Sequence, residues 1–133
     1  MAKLSSFQSA LQPHLLSLLR LVVGLLYLEH GMAKLFGFPH GPGAHTVALF
    51  SLLGLAGVLE TLGGFLVAVG LFTRPAAFIL SGEMAFAYFM AHFPHSFFPL
   101  LNGGDAAVLF CFIFLYISLV GGGAWSLDRL RER

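Results

Sequence analysis

Four apolar runs, at about residues 15–37, 47–72, 76–93 and 105–122, occupy most of this 133-residue chain. A helix needs roughly 20 residues to cross a bilayer, and each run is near or above that length. The third and fourth are the shortest and would cross with little tilt. The runs are continuous, with no alternation of apolar and polar residues, which points to helices and away from strands. Only 10% of the residues are charged and 58% are hydrophobic. A soluble domain carries about a quarter charged residues, so this chain cannot cover a wet surface. An ordinary soluble enzyme and a disordered chain are thereby excluded. A net charge of +1 offers no footprint for nucleic acid. A single cysteine, Cys111, excludes an intrachain disulfide and a cysteine-ligated metal site. The expectation is an all-α, four-helix transmembrane bundle, one domain long, whose first partner is the lipid bilayer.

Breaks fall where helix breakers cluster. Residues 37–43 hold three glycines and two prolines and end the first helix. Thr73-Arg74-Pro75 reads as a tight turn, with Pro75 suited to the first turn of the third helix. Asp105, after Gly103-Gly104, is expected to cap the fourth, and Gly121-Gly122-Gly123 to stop it. The first run carries Glu29, His30 and Lys34 and no small-residue cleavage site follows, so it reads as a retained span and not a signal peptide. With four spans both termini share a side. Lys3, Arg20, Arg74, Arg129, Arg131 and Arg133 then gather at one face and Lys34 alone near the other, so the termini are expected in the cytoplasm and the protein in the inner membrane. Trp125 falls where an interfacial aromatic anchor sits. Arg74, in the only other cytoplasmic turn, is expected to pair with Asp128 and pin the C-terminal segment. Gly54, Gly57, Thr61, Gly64 and Ala68 form one small-residue stripe on the second helix. Such stripes let membrane helices approach closely, so Gly57 and Gly64 are expected to face another helix.

Ionisable residues within spans are costly, and several occur here. At about 1.5 Å rise per residue, Glu60 and Glu83 fall near the midplane, with Glu29 and His30 one or two turns outward. Each has a plain structural explanation as well: a carboxyl bonded to a neighbouring backbone, a tyrosine in the core, a lysine reaching the headgroups. Three carboxylates and a histidine at similar depth are harder to explain by packing alone. With Arg20 and Arg74 assigned to the inner end and Lys34 to the outer end, no cation is left over for them, so at least one carboxyl is expected to be neutral. Carboxyl and imidazole groups suit the proton transfers that accompany quinone reduction. They also suit a metal, but the Glu-x-x-His repeats of di-iron bundles are absent. Ion passage along the same groups is a third chemistry. The expected site is a quinone-sized pocket lined by Glu29, His30, Glu60 and Glu83, with Tyr88 and His92 as secondary members.

The motif His30-Gly31-Met32-Ala33-Lys34-Leu35-Phe36-Gly37 resembles the HGxxKLFG signature of the DoxX family of small bacterial membrane proteins. Glu60-Thr61-Leu62-Gly63-Gly64, Gly70-Leu71-Phe72-Thr73-Arg74, the Glu83–Phe89 run, His92, and Asn102-Gly103-Gly104-Asp105 resemble that family's later motifs. So does Gly121–Gly123 with Trp125-Ser126-Leu127-Asp128. Asp105 departs from the pattern, in which Glu is usual after Asn-Gly-Gly, but an acid is kept. The resemblance implies a four-helix inner-membrane protein linked to quinone or oxidative-stress chemistry, acting with a protein partner in a membrane redox system. No nicotinamide, flavin or haem motif accompanies it. The alternative is a non-enzymatic role, as an assembly subunit, itself open to homo-oligomers, or as a small-molecule or ion permeation protein.

Overall fold

The structure, a computed structural model, describes residues 5–42 and 44–132. Lys3 and Arg133 of the basic set, and Gly43 of the first loop, lie outside them. The described chain is all-helical. Helix α1 spans Ser6–Phe36, α2 Leu52–Val69 and α3 Thr73–Ala87, with α3 continuing into a π-helical turn at Tyr88–His92. A short α4 at Pro99–Asn102 precedes α5, Asp105–Val120, and a last short α6 covers Leu127–Arg131. By length and composition α1 and α2 can each cross a membrane, and α5 is a shorter apolar helix.

The boundaries shift from the sequence expectation for local reasons. α1 begins nine residues before position 15 because Ser5 and Gln8 form a reciprocal capping box. The helix runs through Pro13, and the Ala124 amide and the Ser17 hydroxyl both bond the Pro13 carbonyl. α2 begins only at Leu52, where the Ser51 hydroxyl accepts the Gly54 amide at 3.0 Å. It ends at Gly70, whose φ of 72° supplies the left-handed cap that closes the last turn. Thr73-Arg74-Pro75 is not a free turn but the start of α3. Asp105 is not the cap of α5: Gly104 takes that position and Asp105 is the first helical residue, its charge still well placed at the positive end of the helix dipole. Gly121, with φ 90°, ends α5 as expected.

Two helix pairs result, α1 against α2 and α3 against α5, with α2 meeting α3 over a smaller area. The first pair is a close backbone contact. A methyl group on Gly64 would lie 2.6 Å from the Leu28 amide nitrogen, and one on Gly24 2.5 Å from that of Ala68. Gly57 likewise abuts Lys34 and Leu35. The small stripe of α2 therefore faces α1, where membrane helices gain most from close approach. The core between the pairs sets two buried aromatic rings, Tyr27 and Phe114, among aliphatic side chains. Tyr27 is buried and meets the rings of Phe110 and Phe114 edge-on at 5.2 and 4.9 Å. Ser81 on α3 donates to the Cys111 carbonyl on α5 at 2.8 Å, which ties the second pair.

Candidate functional site

Charge is buried at both ends of the bundle, in different ways. At the end holding the α2–α3 turn, Arg20 is 2% exposed. Its Nε donates to the Gly122 carbonyl at 2.8 Å, one terminal nitrogen to the Val67 and Ala68 carbonyls, and the other to the Trp125 carbonyl at 2.8 Å. Val67 and Ala68 belong to the last turn of α2, which carries the negative end of its dipole; the Val67 carbonyl also accepts the Gly70 amide at 3.1 Å. A guanidinium is the side chain with enough donors, in a fixed fork, to serve all of these acceptors. The Ser17 hydroxyl adds an acceptor for the Trp125 amide at 3.0 Å. Trp125 itself is exposed and meets His14 edge-on at 5.2 Å, in keeping with an anchor at an interface.

The expected Arg74–Asp128 ion pair does not form. The Asp128 carboxylate instead accepts the Phe72 and Thr73 amides, both at 2.8 Å, while Arg74 donates to the Leu119 carbonyl at the end of α5. Two amides at a helix start outcompete a flexible arginine because they are fixed in place and have no other acceptor. Phe72 needs the hold: its φ of 47° is a left-handed conformation that costs a residue with a side chain about 1 kcal/mol or more. Burial by itself would raise the Asp128 carboxyl, but the hydrogen bonds from Thr73 and Phe72, with the nearby charge of Arg131, outweigh it and hold the carboxyl below its usual range. The C-terminal segment is pinned as expected, by caps and not by an ion pair.

At the opposite end a cavity of about 750 Å³ lies among α1, α2, α3 and α5. His30, Glu60, Glu83 and His92 all line it, so four of the six candidates converge. Glu29 and Tyr88 are not among its lining residues. Glu29 lies on the exposed face of α1, because a 100° step per residue sends adjacent residues to different faces. Tyr88 turns toward the α4 loop, where its hydroxyl accepts from the Asn102 amide at 3.3 Å. Asn102 also bonds the Ser96 carbonyl and the Gly104 amide, and its own carbonyl meets His92 Nδ1 at 3.1 Å, so it fixes the end of the π-helical turn.

The largest correction concerns Lys34. Its ammonium is not left to the headgroups alone but caps Glu60, donating to both carboxylate oxygens at 2.5 and 2.6 Å. Glu60 is 3% exposed, and a carboxylate so placed without a cation would cost several kcal/mol, roughly. The second omission is Tyr27, whose hydroxyl donates to Glu83 Oε2 at 3.0 Å. The remaining carboxyl oxygen, Glu83 Oε1, is buried and has no partner among the described residues. Both omissions were visible in one signal: Tyr27 and Lys34 share a helical stripe with Arg20, Gly24 and Gly31, the face of α1 that turns inward. The site thus offers a neutralised ion pair, a phenol–carboxyl pair with a free oxygen, and two imidazoles around an otherwise apolar space.

An all-helical fold with polar groups around an apolar cavity is shared by many functions, and relatives narrow the choice. The DoxX family model matches residues 15–93, more than half of the chain, and the chain belongs to the DoxX family. Together with its apolar helices this makes it a membrane protein. It is similar to a protein of Haemophilus influenzae described only as uncharacterized, with 45% identity over 121 residues covering 88% of this chain and 90% of the relative. No solved structure matches.

Proposed function

We propose that this chain is a four-span protein of the inner membrane, with both termini cytoplasmic, that binds a quinone-class molecule between its helix pairs and handles protons on it as part of a membrane redox system. The observation that carries the reading is the cavity, in which the unpartnered Glu83 Oε1 and the Lys34–Glu60 pair stand against apolar walls. A quinone has the complementary form, a flat apolar ring with carbonyl acceptors at its edge. Lys34 and Tyr27 are donors within this end of the bundle, and Glu83 with the His30 and His92 imidazoles can hold or pass protons. Quinone reduction takes two electrons and two protons; the residues of this cavity serve the protons, and the electrons come from a protein partner.

The test is binding of decylubiquinone by the purified protein in vesicles, parent against Glu83→Gln. The glutamine keeps the shape and abolishes proton exchange, so binding within about threefold is expected, with slowed proton uptake when the bound quinone is reduced by added dithionite, which supplies the two electrons. A folded parent that binds no quinone overturns the reading and leaves the role of an assembly subunit. Orientation is read separately: a periplasm-dependent reporter placed at His40 should be active, and one placed after Glu132 silent.

A further inference from the structure

Most glycines within α1 and α2 have a packing reason. Gly24, Gly31 and Gly64 admit a neighbouring backbone, and Gly63 admits Leu80 of α3, whose Cδ2 would lie 2.6 Å from an added methyl. Gly82 in α3 has none: a Cβ built there meets nothing within 4 Å. A glycine inside a helix costs about 1 kcal/mol against alanine, so this position forgoes helix stability without gaining a contact. What it borders is the cavity.

The cavity wall is asymmetric about that residue. α2 and α3 are joined by a three-residue turn and touch at Gly63 and Leu80. Further from the turn both line the cavity, and the lining side chains there are outward ones: Leu55 is 56% exposed, Phe86 54% and Met90 60%. Glu60 and the Glu83 carboxyl oxygen, by contrast, are buried among the helices. The space is therefore polar at its depth and apolar at an edge that, in a bilayer, faces lipid tails.

We infer that the seam between α2 and α3 is a lateral entrance through which the ligand passes from the bilayer, with Gly82 as its sill. The ligand is accordingly a membrane-dissolved amphiphile: its polar head reaches Glu83 and the Lys34–Glu60 pair, and its apolar tail stays in the seam between Leu55 and Phe86. The inference rests on the binding reading above and adds the route and the tail. It sets Gly82 as the residue that decides whether a tailed molecule is accepted.

Two measurements decide it. In vesicles of phosphatidylethanolamine and phosphatidylglycerol, binding of decylubiquinone and of the tail-less dimethoxy-methyl-benzoquinone is compared for parent, Gly82→Ala, Gly82→Leu and Gly82→Trp. Affinity for the tailed probe should fall with side-chain size, by about tenfold or more at Gly82→Trp, while the tail-less probe changes less than about threefold. All three variants should melt at or above the parent temperature, because open space and helix propensity both favour a side chain there. Equal binding of the tailed probe by Gly82→Trp and parent overturns the entrance, as does equal loss of both probes by a folded variant. A parent that binds neither probe removes the quinone reading alone, and the second measurement then decides the route. In a Cys111→Ala background, the thiol of Gly82→Cys should react with a membrane-dissolved alkyl maleimide and resist a charged, impermeant methanethiosulfonate. Reaction with the charged reagent first would mean that the cavity opens to water, and the lateral entrance fails.

Discussion

The two ends of the bundle use a cation to opposite effect, Arg20 fully buried and Lys34 partly so. At the turn end, all three guanidinium nitrogens of Arg20 donate to backbone carbonyls, and helix ends, loop and C-terminal segment close around it. At the cavity end, Lys34 meets one carboxylate, and a second carboxyl close by keeps an oxygen unpartnered beside open space. A fully satisfied buried charge is a fastener. One left partly unsatisfied next to a cavity is the arrangement that a ligand completes. Intramembrane ionisable residues therefore divide by the completeness of their hydrogen bonding, which residue type alone does not reveal.

The comparison breaks most visibly at Arg20. Arg20→Leu should lower stability by about 4 kcal/mol, since several buried carbonyls lose their donor together, each worth roughly 1–3 kcal/mol when left alone. Arg20→Lys should recover only part of it, because an ammonium cannot reach all the acceptors the fork serves. Thermal unfolding in detergent reads both. If Arg20→Leu melts with the parent, the turn end is no fastener and the contrast collapses. Gly64→Leu comes next. Its side chain would enter the Leu28 backbone, and overpacking of that kind should cost about 3 kcal/mol and lower folded yield whether or not a ligand is supplied.

The cavity end should answer differently. Lys34→Met leaves the buried Glu60 carboxylate without its partner and should destabilise by about 3 kcal/mol, whereas Glu60→Gln should cost less, because the Lys34 side chain is 29% exposed and its ammonium can turn outward. The double variant removes both charges and should be less destabilised than the sum, by about 2 kcal/mol of coupling in a double-mutant cycle. Additive losses would mean that the pair is not a unit. Added decylubiquinone should raise the melting temperature of the parent and leave that of the double variant unmoved, since ligand binding stabilises by mass action only where the site is intact.

Much of the fold was legible in the sequence because a bilayer leaves few solutions. Continuous apolar runs, glycine stops and the small stripe of α2 placed the helices and the α1–α2 contact. The boundaries were less legible, since the first apolar run begins at about residue 15 while the Ser5–Gln8 capping box that starts α1 is polar, and the Pro13 carbonyl finds its partner, Ala124, more than a hundred residues away. Of the residues that line the cavity, His30, Glu60, Glu83 and His92 were picked out by depth along the helices. Depth alone also admitted Glu29, which its angle on α1 turns outward. It left Lys34 at the surface, because a lysine near a helix end reaches headgroups as readily as it reaches a carboxylate, and only the partner's position decides. Tyr88 stacks on His92, ring centroids 6.3 Å apart, yet stays off the cavity lining because its hydroxyl is drawn to Asn102, a partner in the loop that depth along the helix does not reveal.

The smallest expected effect lies at Asp128, and it tests whether the fastened end is held by caps. Asp128→Ala removes the acceptor for the Phe72 and Thr73 amides and should cost about 1 kcal/mol, the usual value of a lost helix cap. Arg74→Ala should cost less, because no ion pair is lost with it and the Leu119 carbonyl at the end of α5 can turn to water. The effect has a sign in pH. The hydrogen bonds and Arg131 hold the folded carboxyl below its ordinary value of 3.8, so its contribution is complete above that value and fades as the pH falls through the lowered one. The difference between parent and Asp128→Ala should therefore be constant from neutral pH down to the carboxyl range and shrink below it. An ion pair with Arg74 would instead make Arg74→Ala as costly as Asp128→Ala at neutral pH. Unequal losses at neutral pH, converging in acid, are the result that the caps require.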